Sequence, residues 1–230
     1  MRFKENTTVS RLLFLALFCG TVLAEIPVFA QTTPKEATEA TKQHNKQVLQ
    51  ELPFNNKTDF ENANKGFIAT LPDVKIVGAK GNTVWDLGTY TFLKQDVPPS
   101  ANPSLWRISQ LNMTNGLFKV SDRIYQVRGF DLSNMTIVEG DTGLIVIDPL
   151  ITTETAKAAL DLYYQHRPQK PVVAVIYTHS HVDHYGGVKG VVSEADVASG
   201  KVHIYAPEGF LAGCGKISDL CELCLAPVTE

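Results

Sequence analysis

The stretch Thr-His-Ser-His-Val-Asp-His-Tyr-Gly-Gly at residues 178–187 follows directly on the apolar run Pro-Val-Val-Ala-Val-Ile-Tyr at residues 171–177. An apolar run of this length predicts a buried β-strand, so the strand delivers three histidines and one aspartate into a single tight turn. Side chains two positions apart in extended backbone point the same way. His179 and His181 are therefore expected to reach one ion together.

Asp183 and His184 come after the chain has turned, and we expect them to face a neighbouring site. Imidazole and carboxylate ligands suit zinc, with manganese or iron as alternatives where oxygen ligands increase. A lone histidine on a strand is usually a hydrogen-bonded or exposed residue, but four ligand-type residues at H-x-H-x-D-H spacing favour a metal site. The glycine pair Gly186 and Gly187 would let the backbone pass close to the ions.

The segment before this strand has the pattern of a layered α/β fold. The apolar residues 144–147 follow a turn after the β pattern at residues 134–139, which predicts a hairpin with a central buried strand. An amphipathic helix is expected at residues 152–166, because its apolar side chains recur at helical spacing. Asp148 stands at the tip of the strand, where a short carboxylate commonly caps a turn.

Nearer the N-terminus the signals are shorter. We expect a helix at residues 41–52, a helix followed by a loop at 58–71, and the start of a helix at 102–106. Further β-type runs lie at residues 74–77, 82–86, 90–93 and 117–128, and a short one surrounds His203.

Composition sets the broad class of the protein. The 230 residues could form one large or two small domains, and 21 Lys and Arg stand against 24 Asp and Glu. No basic patch argues for nucleic acid. Residues 1–30 have a basic start and a short apolar segment, which predicts a cleaved secretory signal, since that segment is too short for the alternative of a membrane anchor. We therefore expect a periplasmic or secreted protein with no membrane span.

The histidine motif resembles the metal site of the metallo-β-lactamase superfamily. The runs Ile-Tyr-Gln-Val-Arg-Gly-Phe-Asp-Leu-Ser-Asn-Met-Thr at residues 124–136 and Gly-Leu-Ile-Val-Ile-Asp-Pro at 143–149 narrow the resemblance to its alkyl sulfatase branch. This likeness covers residues 59–211. It implies an α/β fold, namely the N-terminal half of the αββα sandwich of that superfamily.

The resemblance also implies a function. Alkyl sulfatases hydrolyse long-chain alkyl sulfate esters with two zinc ions that activate a shared water, and they form homodimers. The implied metal ligands are His179, His181, Asp183 and His184, with Asp183 also orienting the attacking hydroxide. The resemblance implies that Asp148 holds the metal loop by hydrogen bonds rather than binding metal. Another hydrolase of the metallo-β-lactamase fold is an alternative, but it leaves the long match around residues 126–135 unexplained.

The likeness ends at Leu211, where the composition changes. Residues 212–230 contain Cys214, Cys221 and Cys224, whereas residues 59–211 contain no cysteine, which indicates a frame shift or a premature end. A zinc or redox site at these cysteines is the alternative, although the second ligand pair of a structural zinc site is missing. We expect further ligands of the family to be absent, so that activity is lost or impaired. The rival hypothesis is a non-catalytic fragment that at most binds zinc.

These signals divide the chain into four predicted segments: a signal peptide at 1–30, a flexible lead-in at 31–58, the N-terminal part of a metallo-β-lactamase-like domain at 59–211, and an aberrant tail at 212–230.

Overall fold

The structure of the protein is a computed structural model that describes residues 35–214. Residues 37–214 belong to one unit by their internal contacts. The predicted signal segment and most of the predicted tail, including Cys221 and Cys224, lie outside the described residues. Between residues 35 and 214, no helix combines the length and the apolar character that crossing a membrane requires.

The described chain contains both strands and helices. The strands are β1 (Phe67–Ala69), β2 (Lys75–Val77), β3 (Thr83–Asp86), β4 (Gly116–Ser121), β5 (Ile124–Arg128), β6 (Met135–Glu139), β7 (Leu144–Ile147), β8 (Val172–Ile176) and β9 (His203–Tyr205). The α-helices are α1 (Glu39–Glu51), α2 (Thr58–Ala63), α3 (Pro103–Asn112), α4 (Thr153–His166), α5 (Glu194–Ala198) and α6 (Phe210–Gly213). Short 3₁₀ segments lie at Pro72–Val74, Leu87–Lys94, Val182–His184 and Val188–Gly190.

Seven of the strands form one mixed sheet in the order β1-β4-β5-β6-β7-β8-β9, while β2 and β3 pair separately. Neighbours from β1 to β7 run antiparallel. Strand β7 pairs in parallel with β8, and β8 pairs in parallel with β9. Parallel neighbours need a crossover, and α4 supplies the one between β7 and β8. The α/β fold class expected from the sequence is confirmed.

One face of this sheet carries the core. Along β5, Tyr125 and Val127 are buried while the alternate residues are only half-buried, as the two-residue period of a strand requires. Helix α4 begins at the cap Thr152, whose side chain accepts a hydrogen bond from the Thr155 backbone N–H. Its Tyr163 ring packs edge-on against Tyr125 at 5.6 Å between centroids, so the helix closes this face of the sheet.

A polar cluster at the end of α4 fixes the helix to the sheet. The Glu139 carboxylate on β6 accepts hydrogen bonds from the Tyr163 hydroxyl at 2.6 Å and from Arg167 Nε at 2.9 Å. Its second oxygen accepts from Arg167 Nη2 at 3.1 Å, which makes the ion pair bidentate. The hydrogen bonds from Arg167 hold the pKa of Glu139 below its usual value.

Glu139→Gln is expected to lower the free energy of unfolding by about 1–2 kcal/mol at pH 7, because it removes a charge-assisted bidentate pair. A carboxyl whose folded pKa is lowered stabilises the fold above its unfolded pKa, and that contribution is lost as pH falls through the folded pKa. Urea unfolding of the unchanged protein and of the variant should therefore show a difference in unfolding free energy that becomes smaller below pH 4.5, the ordinary pKa of glutamate. Glu194→Gln is the control, because Glu194 forms only an exposed ion pair with Lys189. It should have little effect on the free energy of unfolding at any pH. A difference in unfolding free energy that stays constant at acid pH would contradict a stabilising ion pair between Glu139 and Arg167.

Three element predictions are wrong. The expected strand at residues 90–93 is part of the 3₁₀ segment Leu87–Lys94, which begins where the Asp86 side chain accepts a hydrogen bond from Gly88 N–H. The single run at 117–128 is two strands, because the chain reverses at Arg123 with a positive φ of 61°. The loop expected after α2 contains β1, which pairs with β4.

The other expected elements are confirmed within one to three residues. They are α1, α2, α3 with Asn102 as its cap, the β6–β7 hairpin, α4, and the strands β2, β3, β8 and β9. The helix α1 is not isolated from the rest of its unit, since the buried Asn45 donates to the Pro99 carbonyl at 2.9 Å.

Candidate functional site

The candidate site forms where the parallel strands β7 and β8 end at the same edge of the sheet. The chain leaves β7 at Asp148, whose backbone N–H still donates to Ile176 of β8 at 3.0 Å. Asp148 and Leu150 both have a positive φ, 54° and 63°, in a region that costs non-glycine residues about 1–3 kcal/mol each. The surrounding contacts must hold this loop in place, and Asp148 makes several of them.

Asp148 binds the histidine loop through both of its carboxylate oxygens. Its Oδ1 accepts from the backbone N–H of Thr178 at 2.8 Å, and its Oδ2 accepts from the Thr178 hydroxyl at 2.7 Å. The same Oδ2 lies 2.9 Å from Nδ1 of His184. Of the two alternatives for Asp148, the one that holds the loop by hydrogen bonds is therefore confirmed.

Thr178 sets the orientation of the first histidine. Its hydroxyl has one proton, which it donates to Asp148, and it lies 3.0 Å from Nδ1 of His179. The hydroxyl must then accept from His179, so the proton of this imidazole is on Nδ1 and the lone pair is on Nε2. That Nε2 lies 3.1 Å from Nδ1 of His181. Two ring nitrogens of neighbouring histidines thus face each other, with at least one lone pair between them.

The same reasoning applies to the second pair. A carboxylate only accepts hydrogen bonds, so Nδ1–H of His184 donates to Asp148. In a neutral imidazole the lone pair is then on Nε2. That Nε2 lies 3.3 Å from Oδ2 of Asp183. Two acceptors at this distance repel each other unless a cation, either a proton or a metal ion, lies between them.

These distances fit the ligand chemistry of zinc. Zn–N bonds of about 2.0–2.1 Å in a tetrahedron place neighbouring ligand atoms about 3.3 Å apart. His179 Nε2 lies 3.1 Å from His181 Nδ1, and His184 Nε2 lies 3.3 Å from Asp183 Oδ2. The rings of His179 and His184 lie 4.0 Å apart, so the four side chains form one cluster.

Each pair nevertheless supplies only two ligands. Within residues 35–214, no three His, Cys, Asp or Glu side chains are arranged around one point as a metal centre would require. Zinc takes four ligands. The described residues therefore present two half-complete ligand sets, and the assignment of His179, His181, Asp183 and His184 as ligands stays a prediction.

The glycine pair permits a close approach to the loop that follows β7, and its predicted approach to the ions stays a prediction. A Cβ on Gly187 would lie 2.2 Å from the Pro149 carbonyl oxygen and 2.6 Å from that of Thr152. A Cβ on Gly186 would lie 2.4 Å from the Ile151 carbonyl oxygen. The glycines pack the histidine loop onto the loop that follows β7.

Asp131 is a buried residue near the site to which sequence reasoning assigned no role. Its oxygens accept from the backbone N–H groups of Ser133 and Ile151, both at 2.9 Å, and from the Thr155 hydroxyl at 2.8 Å. Burial raises the pKa of Asp131, and these hydrogen bonds oppose that rise. The Ser133 hydroxyl in turn donates to the backbone carbonyl of Asp183. Asp131 thus connects the loop after β5, the start of α4 and the histidine loop.

The sequence carries only a weak signal for this role. Asp131 lies in a Gly-Phe-Asp-Leu-Ser-Asn segment typical of a loop, where an aspartate commonly binds its own backbone two residues on. That local hydrogen bond to Ser133 could have been predicted. The contact with Thr155 is 24 residues away and depends on the packing of α4.

Aromatic side chains support the histidine loop from behind. Tyr177 stacks on Phe210 of α6 at 5.3 Å, and Tyr185 meets the same ring edge-on at 5.4 Å. All three side chains are buried. Of the other residues weighed in the sequence, His203 is exposed on β9 and His166 lies at the end of α4, and neither is among the contacts of the cluster.

Comparison with known proteins agrees with this architecture. Residues 128–213, which contain the histidine loop and the loop after β7, match the metallo-β-lactamase superfamily. A linear primary-alkylsulfatase of a Pseudomonas species is 61% identical over 197 residues. The chain is thus similar to part of the alkylsulfatases and, over residues 128–213, to the metallo-β-lactamase superfamily. An alkyl/aryl-sulfatase of Saccharomyces cerevisiae is 57% identical over 183 residues.

A solved structure extends the likeness to three dimensions. The stereoselective inverting sec-alkylsulfatase Pisa1 of a Pseudomonas species superposes with a TM-score of 0.75 and 52% identity over 79% of this chain. The likeness covers only part of each relative. This chain spans 29% of the Pseudomonas primary-alkylsulfatase, 28% of the yeast relative and 29% of Pisa1.

Proposed function

We propose that this chain carries part of the active site of an alkyl sulfate ester hydrolase, with His179, His181, Asp183 and His184 as ligands of two zinc ions. The observation that supports it most is the pair of facing acceptors, His184 Nε2 and Asp183 Oδ2, 3.3 Å apart. The substrate class follows from the relatives, which are named as alkylsulfatases and cover 85% of this chain at 61% identity in one case.

The reaction is R–O–SO₃⁻ + H₂O → R–OH + SO₄²⁻ + H⁺. A divalent cation, when bound, lowers the pKa of water and offsets negative charge on the sulfate and on the leaving oxygen. Thr178 and Asp148 hold the rings of His179 and His184 so that each lone pair faces its neighbour. Asp183 orients the attacking water, since a carboxylate accepts hydrogen bonds from it.

A second candidate is a non-catalytic protein that at most binds zinc. It is favoured by the ligand count, because each pair of facing atoms supplies two of the four ligands that zinc takes. With ligands missing, a metal ion binds weakly and its water is poorly placed. The two candidates differ in turnover and agree on zinc binding.

Sulfate release from dodecyl sulfate by the 230-residue chain, with and without added Zn²⁺, tests the proposal. We expect zinc-dependent release at an impaired rate, which falls by a further factor of about 100 or more in His181→Ala, since the loss of a ligand displaces the ion. His203→Ala is the matched control and should keep the full rate. Zinc binding without any sulfate release would favour the second candidate, and release that ignores both zinc and His181 would contradict the site.

The remaining expectations are proposals of the same kind. A periplasmic or secreted location depends on cleavage of residues 1–30, which N-terminal sequencing of the exported protein would detect. The full-length family forms homodimers, but this chain lacks the helical dimerisation region of that family, so we expect a monomer, which sedimentation velocity tests. The segment boundaries after residues 30, 58 and 211 are tested by limited proteolysis.

A further inference from the structure

Asp131 is a buried carboxylate near the candidate site that the proposed chemistry does not use. It lies in the loop between β5 and β6, and only 6% of its surface is exposed. Its Oδ1 accepts from the Ser133 backbone N–H, and its Oδ2 accepts from the Ile151 backbone N–H and from the Thr155 hydroxyl. A single side chain thus joins three segments: the loop after β5, the loop after β7 and the first turn of α4.

The geometry requires two acceptor oxygens at this position. Ser133 and Ile151 each direct a backbone N–H at one oxygen of Asp131, in both cases at 2.9 Å. A backbone N–H only donates, so both atoms at the end of the side chain must accept. An asparagine has one oxygen and one N–H₂ group, and in either orientation it would turn the N–H₂ group toward a backbone N–H. One buried N–H would then be left without an acceptor, which is unfavourable.

One connection from Asp131 to the histidine loop passes through Ser133. The Ser133 hydroxyl donates to the backbone carbonyl of Asp183. The N–H of the same serine is held by Asp131, so the position of the hydroxyl depends on that hydrogen bond. Only 7% of the surface of Ser133 is exposed, which gives solvent little access to either contact. The backbone of the histidine loop is therefore fixed at Asp183 by a hydrogen bond that Asp131 supports.

A second connection passes through the loop after β7. The N–H of Ile151 donates to Asp131, and the carbonyl oxygen of Ile151 would lie 2.4 Å from a Cβ on Gly186. The neighbouring Leu150 carbonyl accepts from the N–H of Gly187 at 2.9 Å. Because Leu150 has a positive φ of 63°, contacts from outside must hold this loop in its strained conformation. The loop that Asp131 holds thus supports the glycine end of the histidine loop.

The turn with Asp183 and His184 begins at the first of these supported points and ends just before the second. We propose that Asp131 is a positioning residue for the candidate metal site, which holds this turn so that Asp183 Oδ2 lies 3.3 Å from His184 Nε2. Asp131 acts through the backbone of the turn and not by binding the ion. The inference rests on the proposed function for the role of the two ligands, and its test measures zinc affinity and loop opening instead of sulfate release.

Zn²⁺ affinity of the 230-residue chain, measured by competition with a chromophoric chelator, is the first test. Asp131→Asn should weaken zinc binding by about 10–100-fold, the usual effect of changing a group that orients a metal ligand. Asp86→Asn is the matched control, because Asp86 accepts from the N–H two residues on, that of Gly88, just as Asp131 does. The Asp86 carboxylate otherwise pairs with Lys75 on the two-stranded sheet, so this variant should bind zinc as the unchanged chain does.

A double-mutant cycle separates positioning of Asp183 from general support of the fold. Asp183→Ala removes the ligand on which Asp131 is inferred to act. In that background Asp131→Asn should weaken zinc binding by no more than about threefold, because residues that act through one another are not additive. The same 10–100-fold loss in both backgrounds would show that Asp131 does not act through Asp183.

Amide hydrogen exchange without metal tests the inference independently of zinc. Asp131→Asn should speed exchange in residues 183–187 by about tenfold or more relative to exchange in β8, because the turn opens locally while the sheet stays folded. Asp86→Asn should leave both rates unchanged. If Asp131→Asn does not fold, Ser133→Ala removes the first connection alone, and it should weaken zinc binding by about three- to tenfold.

Two results would overturn the inference and leave the proposed function standing. These are unchanged zinc affinity in the folded variant, and exchange that speeds equally in β8 and in residues 183–187, which would mean a loss of global stability alone. The expected changes in a chain that releases no sulfate would keep this inference and reject the proposed catalysis. A chain that binds no zinc would reject the proposed function, and the exchange rates would then decide on Asp131 alone.

Discussion

Gly187→Ala should destabilise the fold by more than about 4 kcal/mol or prevent folding, an effect at the extreme of single substitutions. The added Cβ would lie 2.2 Å from the Pro149 carbonyl oxygen, 2.6 Å from that of Thr152 and 2.8 Å from the Ala156 side chain. Two of these neighbours are backbone atoms of the loop after β7, which Asp148 already holds in a strained conformation. Neither loop can move aside without breaking hydrogen bonds to the other.

Urea unfolding followed by circular dichroism measures this effect. Gly200→Ala is the control, because Gly200 has a positive φ of 72° but nothing within 4 Å of an added Cβ. It should cost only the backbone strain of about 1–2 kcal/mol. Equal losses in the two variants would mean that the close contacts at Gly187 relax at little cost, since its φ of −86° is one that alanine adopts without strain.

His179→Ala should weaken Zn²⁺ binding by the 230-residue chain by about 100-fold or more, because it removes one atom of a facing pair. Asp148→Asn should weaken it by about 10–100-fold, since the group that fixes the His184 tautomer loses one acceptor oxygen. Competition with a chromophoric chelator at fixed pH measures both affinities.

His203→Ala is the control for zinc binding, because this exposed histidine on β9 lies outside the cluster. Its affinity should match that of the unchanged chain. If His179→Ala and His203→Ala bind zinc alike, the metal ion is held elsewhere and the ligand assignment is wrong. If Asp148→Asn binds zinc normally but unfolds more easily, then Asp148 only supports the loop and does not affect zinc binding through His184.

Sequence reasoning predicted the part of this site that local spacing controls. His179 and His181 are two positions apart at the end of an apolar strand, and they do meet at 3.1 Å. The separate turn that carries Asp183 and His184 was also expected, and it is the 3₁₀ segment Val182–His184. The apolar strand predicted where these residues lie, but the strand ends at Ile176 and residues 178–180 form a bend, so the extended backbone assumed for His179 and His181 is wrong.

Contacts between distant residues could not be predicted in the same way. The link from Thr178 to Asp148 spans 30 residues, and the one from Ser133 to Asp183 spans 50. Each depends on how strands and helices pack, which a single sequence does not display. A cavity of about 590 Å³ has the same origin, because residues 85–113 and 128–134 form its walls only after folding.

The strand predicted at residues 90–93 is wrong for a local reason, unlike the long-range contacts that the sequence could not predict. Tyr-Thr-Phe-Leu has strong β-propensity, but the Asp86 carboxylate accepts from Gly88 N–H and starts a tight turn just before it. A local hydrogen bond of an aspartate can override the propensity of the residues that follow. The result exposes Tyr90 and Phe92 on the surface, where they line the cavity.

The parallel pairing of β7 with β8 has a consequence for the order of folding. Asp148 and His184 are 36 residues apart, with α4 between them, so the two meet only after the crossover has closed. Contacts of such long sequence separation form late, because the entropy of loop closure opposes them. A cation that binds this corner would leave the early, collapsed chain untouched, and would slow unfolding more than it speeds refolding.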